Sequence, residues 1–347
     1  MQLQTPMDIS DKIIIKNQKN AVIQNYVYIL SAIVLIFIAG MREVGIDKDS
    51  INYLYSFEHF TNLFESDFFE KEPFFWIILE LNKHLLNTIN GVFLIYAFLH
   101  ISIFFYAIKK LTPLPILSII IYIGLFYILY GMTQIRISVA ISIFVISISD
   151  LLKRNIIGYF IKITIAVLFH YSAVVFYFLY FIKPKSINRI FYLILPLIGL
   201  LLAFFQPSIL KLFSIFIQFL PPFLEYNLTI SLGLIETDSH KVNLFNTFAM
   251  IKLIIYFVSV INIRKMKFSR DILIIKIFGW SIFLYYFLSF MPVLASRISE
   301  MLSIVLIILL VDIVFIFKQK TIPIILIIMF STMMFSYSYY TLILNKM

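Results

Sequence analysis

Apolar runs, many about as long as one membrane crossing, alternate along the chain with short polar punctuation. A helix needs roughly 20 predominantly apolar residues to cross a bilayer. On that measure the pattern predicts spans at Val22–Gly40, Asn90–Ile108, Pro113–Gly131 and Ile135–Leu152. Two short runs follow, Ile156–Phe169 and Tyr171–Ile182, and then Ile190–Phe205. The remainder supplies Leu244–Ile263, Ile272–Phe290, Arg297–Phe317 and Ile322–Leu344, which makes eleven. The predicted fold class is an all-α polytopic membrane protein forming a single integral membrane domain, residues 1–347.

The pattern breaks in two places. Residues 41–89 begin with the most acidic stretch of the chain, from Glu43 to Glu72, and continue as Pro73–Leu86, apolar but interrupted by Glu80, Asn82, Lys83 and His84. Proline at a first helical position directly after Glu72 predicts a helix start there, and the mixed face predicts a helix lying at the outer interface. Residues 206–243 form the second break, with an apolar segment, Ile209–Leu224, that Pro221-Pro222 interrupts. It reads as interfacial or re-entrant. The first span follows a polar segment with Lys12, Lys16 and Lys19 and carries no cleavage-like site, which predicts a retained signal anchor. The sequon-like Asn227-Leu228-Thr229 is read as a chance match.

Charge orients this pattern. Lys109-Lys110, Lys153-Arg154, Lys183/Lys185/Arg189, Arg264/Lys265/Lys267/Arg270 and Lys318/Lys320 fall between apolar runs, and all land in the cytoplasm if the N-terminus is inside and the C-terminus outside. The net charge of +10 therefore faces an anionic inner leaflet and does not indicate a nucleic-acid partner. No cysteine is present, which excludes disulfides, thiolate catalysis and cysteine metal sites.

Three arginines, Arg42, Arg136 and Arg297, are left on the outer side. Arg136 and Arg297 each open a helix running inward in this threading. A helix N-terminus favours an anion, and a guanidinium grips phosphate with two hydrogen bonds; the alternative is that both snorkel to headgroups. His170 lies between the two short runs. Fourteen residues of helix, Ile156 to Phe169, rise only about 21 Å, so this imidazole is expected below the outer surface, as a base, an oxyanion ligand or a buried structural histidine. Asp47, Asp49 and Glu72 are acidic candidates for a base or for orienting an arginine; as Mg²⁺ ligands they lack a dedicated spacing, and no metal site is assigned. Within the spans, Asp150 is expected to pair with Lys153 and Asp312 with Lys318, while Glu300, one turn after Arg297, is placed to orient it. Lys162, Lys252 and Lys276 are the remaining intramembrane cations.

Several segments together resemble a known family. They are Arg42-Glu-Val-Gly-Ile-Asp47 through Tyr53, Glu72-Pro73-Phe74-Phe75, Gly131-Met132-Thr133-Gln134-Ile135-Arg136, Leu168-Phe169-His170-Tyr171-Ser172 and Ser296-Arg297-Ile298. In this order the set resembles the EpsG family of Wzy-like polysaccharide polymerases. Lys48 and Ile137 depart from the family's usual tyrosine and glutamine. The resemblance implies a GT-C-like glycosyltransferase architecture of about eleven spans plus one or two outer interfacial helices. It implies an enzyme of the bacterial cytoplasmic membrane that transfers an undecaprenyl-diphosphate-linked glycan onto another lipid-linked repeat unit, with inversion and without a cofactor. Arg42, Arg136, Arg297 and Gln134 would then bind the diphosphate, and His170, Asp47 and Glu72 would be the catalytic candidates. Lipid-linked oligosaccharide, membrane lipid and a chain-length regulator protein are the partners implied.

Rival readings are a lipid-linked oligosaccharide flippase, a membrane O-acyltransferase with His170 as base, and an O-antigen ligase. The odd span count, the acidic outer loop and the lack of a repeated half argue against the flippase. An outward His170 argues against an acyl donor arriving from the cytoplasm.

Overall fold

The computed structural model describes residues 9–47, 49–63, 72–205, 211, 215–219 and 243–342. Most of the second outer loop, including Pro221-Pro222 and Asn227, lies outside the described residues, as do Lys48, Glu65, Asp67 and Glu70. Among the described residues there are helices and no strands. The elements are α1 (Ile9–Gly40), α2 (Ser50–Glu58), α3 (Pro73–Leu85) and α4 (Ile89–Leu111). Next come α5 (Pro115–Tyr122), continued by a π-helix (Ile123–Thr133), then α6 (Ile135–Lys153) and α7 (Ile156–Phe169). A 3₁₀ helix (Tyr171–Phe181) and α8 (Arg189–Ala203) complete the N-terminal part. After the second loop stand α9 (Thr247–Ile261), α10 (Asp271–Phe287), α11 (Pro292–Ser303), α12 (Leu306–Ile313) and α13 (Thr321–Leu342).

Each of the eleven expected apolar runs is helical where described, but among the described residues five helices are long and apolar enough to cross a membrane, or six if α11 and α12, bent by 45° at a short break, count as one. The others are shorter, at 11 to 15 residues for α7, the 3₁₀ helix, α8 and α9. Pro73 does begin α3, in the first-turn position where its missing N–H costs nothing. One expectation needs correcting. The helix carrying Arg297 starts earlier, at Pro292, so Arg297 lies in its second turn and not at its N-terminus.

Between apolar helices in lipid there is little hydrophobic drive to associate, so close backbone contact and buried polar links matter more. Tyrosine hydroxyls supply many of the links by donating to backbone carbonyls of neighbouring helices. Tyr28 reaches Phe105 O at 2.6 Å, Tyr127 reaches Leu35 O at 2.7 Å, and Tyr256 reaches Tyr192 O at 2.5 Å. His100 joins three helices, with Nδ1 2.6 Å from Ser142 Oγ and Nε2 2.6 Å from Tyr122 Oη. Gly124 allows the π-helix and α13 to touch, since a Cβ there would stand 2.4 Å from Ser331 O.

The ion pairs differ from the local ones that sequence spacing suggests. Asp150 pairs with Lys162 of α7 at 2.5 Å, because Lys153 at the end of α6 points into the exposed turn. Asp312 pairs with Arg270 at 2.6 Å and ties α12 to the start of α10. Lys276 donates to the carbonyls of Lys183 and Ser186. All three links lie at the end of the bundle that carries the basic clusters.

The element that shapes the opposite end is a hairpin. Tyr159 donates to Phe176 O at 2.5 Å, Thr164 Oγ1 lies 2.6 Å from Tyr177 Oη, and Arg154 reaches Ile182 O at 3.2 Å. The chain therefore climbs α7 and returns along the 3₁₀ helix. Fourteen α-helical residues rise about 21 Å and eleven 3₁₀ residues about 22 Å, so the two arms match in length despite unequal residue counts. His170 is the extended residue at the tip.

Candidate active site

Three sequence candidates meet at that tip. Glu72 precedes Pro73 in an extended conformation, and its carboxylate makes no capping bond to its own helix. It points instead at two cations or potential cations. His170 Nδ1 lies 2.5 Å from Glu72 Oε1, and an Arg136 terminal nitrogen pairs with Glu72 Oε2. A carboxylate accepts only, so Glu72 requires the tautomer with the proton on Nδ1 and leaves Nε2 as the lone-pair nitrogen. Both ring nitrogens are buried: Nε2 meets no partner, and Nδ1 approaches Glu72 as an ion-pair contact outside hydrogen-bond geometry.

Each residue of Glu72-Pro73-Phe74-Phe75 contributes to this arrangement. Pro73 fixes the helix start. Phe74 packs on Phe169, the neighbour of His170, with ring centroids 4.6 Å apart. Phe75 lies 5.2 Å from the Arg136 guanidinium carbon, and Tyr53 of α2 lies 5.8 Å away on another side. Arg136 is the second residue of α6, where backbone N–H groups are free of intrahelical partners. The preceding π-helix ends at this point, with Gln134 N bonded to Leu129 O at 2.7 Å. The Arg136 side chain is 25% exposed and its Nε has no partner, so Glu72 does not exhaust its donors.

Electrostatics at the site are decided by neighbours. Burial pushes the Glu72 carboxyl up, but the contact with His170 and the charge of Arg136 outweigh it and hold the pKa at about 2. Burial pushes the Tyr53 phenol up to about 12, with Arg136 pulling the other way. A depressed carboxylate stabilises the fold above its ordinary pKa of 4.5 and loses that effect as the pH falls toward 2. The expected result is that the stability gap between wild type and Glu72→Gln, on the order of 3 kcal/mol at neutral pH, closes between pH 5 and pH 2. Melting curves of both proteins in detergent across that range would show it, and a gap independent of pH would count against the ion pairs.

Arg42 and Asp47 are placed differently. They form their own ion pair at 3.0 Å, with side chains only 1% and 0% exposed. Arg42 also donates to Ala39 O at 2.5 Å and lies 3.7 Å from the Phe93 ring centroid. Asp47 Oδ1 accepts from Asp49 N at 3.1 Å and Ser50 N at 3.0 Å, which starts α2. Both side chains are committed to holding the loop on α1 and α4. The pair is buried in this structure, and Arg42 Nη2 is left without a hydrogen-bond partner. Arg42→Ala should cost about 3–5 kcal/mol by stranding a buried carboxylate, read as a lower melting temperature in detergent; an unchanged value would remove this structural role.

The other candidates are looser. Gln134 contributes its backbone to the start of α6 and makes no side-chain bond to the cluster among the described contacts. Arg297 is exposed and forms no ion pair with Glu300 among the described residues; both His170 and Glu300 lie within electrostatic reach of it. Asp47, Asp49 and Glu72 do not converge, and no three potential metal ligands of the described residues do so elsewhere. Tyr96 is a further member that sequence reading missed. It is fully buried, its hydroxyl has no partner, and it lies within electrostatic reach of Arg136 and Glu72. A tyrosine inside an apolar run gives no signal beyond its hydroxyl.

No curated protein and no solved structure matches the chain significantly. The EpsG family matches over residues 25–346, which takes in every segment of the cluster. Nearly the whole chain is thus accounted for, and the protein belongs to the EpsG family of Wzy-like polysaccharide polymerases.

Proposed function

We propose that this protein polymerises lipid-linked repeat units at the outer face of the bacterial cytoplasmic membrane. A glycan carried on undecaprenyl diphosphate is transferred en bloc to the non-reducing end of another lipid-linked unit. The observation that carries the reading is the Glu72–His170–Arg136 cluster, recessed at the hairpin tip and set at the N-terminus of α6. An acceptor hydroxyl gives its proton to His170 Nε2, its oxygen bonds to the anomeric carbon, and the bond from that carbon to the diphosphate oxygen breaks. Glu72 holds the imidazole by Nδ1–H and stabilises the imidazolium formed. The departing diphosphate takes the electron pair, and Arg136 with Arg297 meets the developing charge. Attack opposite the leaving group inverts the anomeric centre. In this scheme Glu72 orients and is not the base, while Arg42 and Asp47 support the site from behind.

The topology that accompanies this reading has eleven passes, with the N-terminus in the cytoplasm. It counts α7 and the 3₁₀ helix as two short passes that meet at His170 and leaves the basic clusters inside. The test is to incubate the purified protein with a defined undecaprenyl-diphosphate repeat unit, with and without a chelator, and separate the products by size. A ladder of products is expected. A wild-type protein that consumes no donor would refute the polymerase reading.

A further inference from the structure

A second polar chamber stands apart from the cluster. It has a volume of about 360 Å³ and lies among α9, α10, α11 and α13; its lining includes Asn246, Lys252, Tyr285, Tyr286, Glu300 and Tyr337. The volume is within the range of about 300–1,000 Å³ usual for small-ligand sites. Asn246 begins α9, and Tyr285 and Tyr337 lie near the ends of α10 and α13 remote from the basic clusters, so the chamber belongs to the same end of the bundle as His170.

The chemistry of its walls is unusual for an interhelical space. Lys252 is 8% exposed, with its ammonium 4.5 Å from the Phe248 ring centroid. Lys252 and Glu300 face the chamber, and among the described residues neither makes an ion pair. The Tyr286 hydroxyl is buried without a partner. The rim is already fixed, since Asn246 Nδ2 donates to Tyr285 Oη at 2.7 Å and Tyr285 Oη donates to Asn243 O at 3.1 Å. An ammonium and a carboxylate inside apolar surroundings are costly unless something satisfies them.

We propose that this chamber is the acceptor subsite and takes the terminal sugar of the incoming glycan; the proposal rests on the polymerase reading and deepens it. Three properties point to a sugar over a second diphosphate. One cation and one carboxylate leave the walls near neutrality, whereas a diphosphate needs excess positive charge. Sugar hydroxyls both donate and accept, so one ligand satisfies Lys252, which only donates, and Glu300, which only accepts. Tyr285, Tyr286 and Tyr337 offer aromatic faces for the apolar C–H faces of a pyranose ring. Ser296, Ser299 and Glu300 of α11 line the chamber, so Arg297 on the same helix lies next to it in sequence.

The test uses full-length protein in nanodiscs and, as probe, the water-soluble oligosaccharide repeat unit released from the producing cell's own surface polysaccharide. Wild type should bind it in titration calorimetry, and Lys252→Met and Glu300→Gln should each weaken binding at least tenfold. Tyr285→Leu, which removes one aromatic face, should weaken it several-fold in a protein that stays monodisperse. In the ladder assay Lys252→Met should raise KM for acceptor with kcat nearly unchanged. The proposal is overturned if wild type takes up no saccharide, or if the Lys252, Glu300 and Tyr285 variants bind as wild type does. Saccharide binding that depends on Lys252 and Glu300 in a protein yielding no ladder would uphold the subsite while removing the polymerase reading.

Discussion

Arg136→Ala is expected to end chain extension, lowering the rate about 10²–10³-fold, the usual loss when one preorganised donor to a developing anion is removed. The guanidinium cannot be replaced by a neighbour. Glu72 fixes one nitrogen, Phe75 and Tyr53 confine the plane, and Nε remains without a partner on a side chain 25% exposed. Arg136→Lys should restore little, since an ammonium offers no planar fork. Removing the arginine also leaves Glu72 with His170 as its remaining partner, so protein abundance in membranes must be measured beside glycan length. Arg136→Gln paired with Glu72→Gln removes both charges and separates instability from lost chemistry. Glycan of near-normal length in Arg136→Ala, at normal protein levels, would eliminate the assigned role.

His170→Gln is expected to reduce the rate by about 10²–10⁴-fold, the usual contribution of a positioned general base. The substitution is chosen because a glutamine amide can still donate to Glu72 while offering no nitrogen base. If His170 were only a strut between the hairpin and α3, His170→Gln would keep most activity. If it is the base, the variant also loses the limb of the pH–rate profile on which the imidazole titrates. The two outcomes are read from initial rates across a pH series, with His170→Ala as the severe reference. Glu72→Gln should fall between them, since it weakens the orientation of the imidazole without deleting it.

Much of this site is legible in the sequence as separate marks. Arg136 follows a helix-start signal, Glu72 precedes a proline, and His170 stands after a run too short to cross a bilayer. What is not legible is their convergence, because it depends on α3 packing its first turn against the hairpin tip through Phe74 and Phe169. The same limit explains Arg42 and Asp47. Their motif marks them both, but that they pair with each other at 3.0 Å, with side chains 1% and 0% exposed, is a tertiary fact the sequence does not carry. Local spacing misleads for Asp150 and Asp312, whose partners come from neighbouring helices because nearby Lys153 and Lys318 point away into exposed turns. The element types are more readable than their lengths. Pro292 sets the start of α11 ahead of Arg297, and the bend beyond Ser303 has no punctuation by glycine or proline to announce it.

The equal and short arms of the hairpin have a bearing on the lipid itself. Two arms of about 21–22 Å sit in a hydrocarbon layer of about 30 Å, a mismatch that a bilayer relieves by dimpling. Around α7 and the 3₁₀ helix the outer leaflet would sink toward His170, and water and headgroups would sink with it. In the proposed reaction, a prenyl-anchored diphosphate in that leaflet would then descend to the imidazole without leaving its own layer. The depth of the catalytic group and the route of its substrate would thus be set by one dimension, the length of a helix cut short.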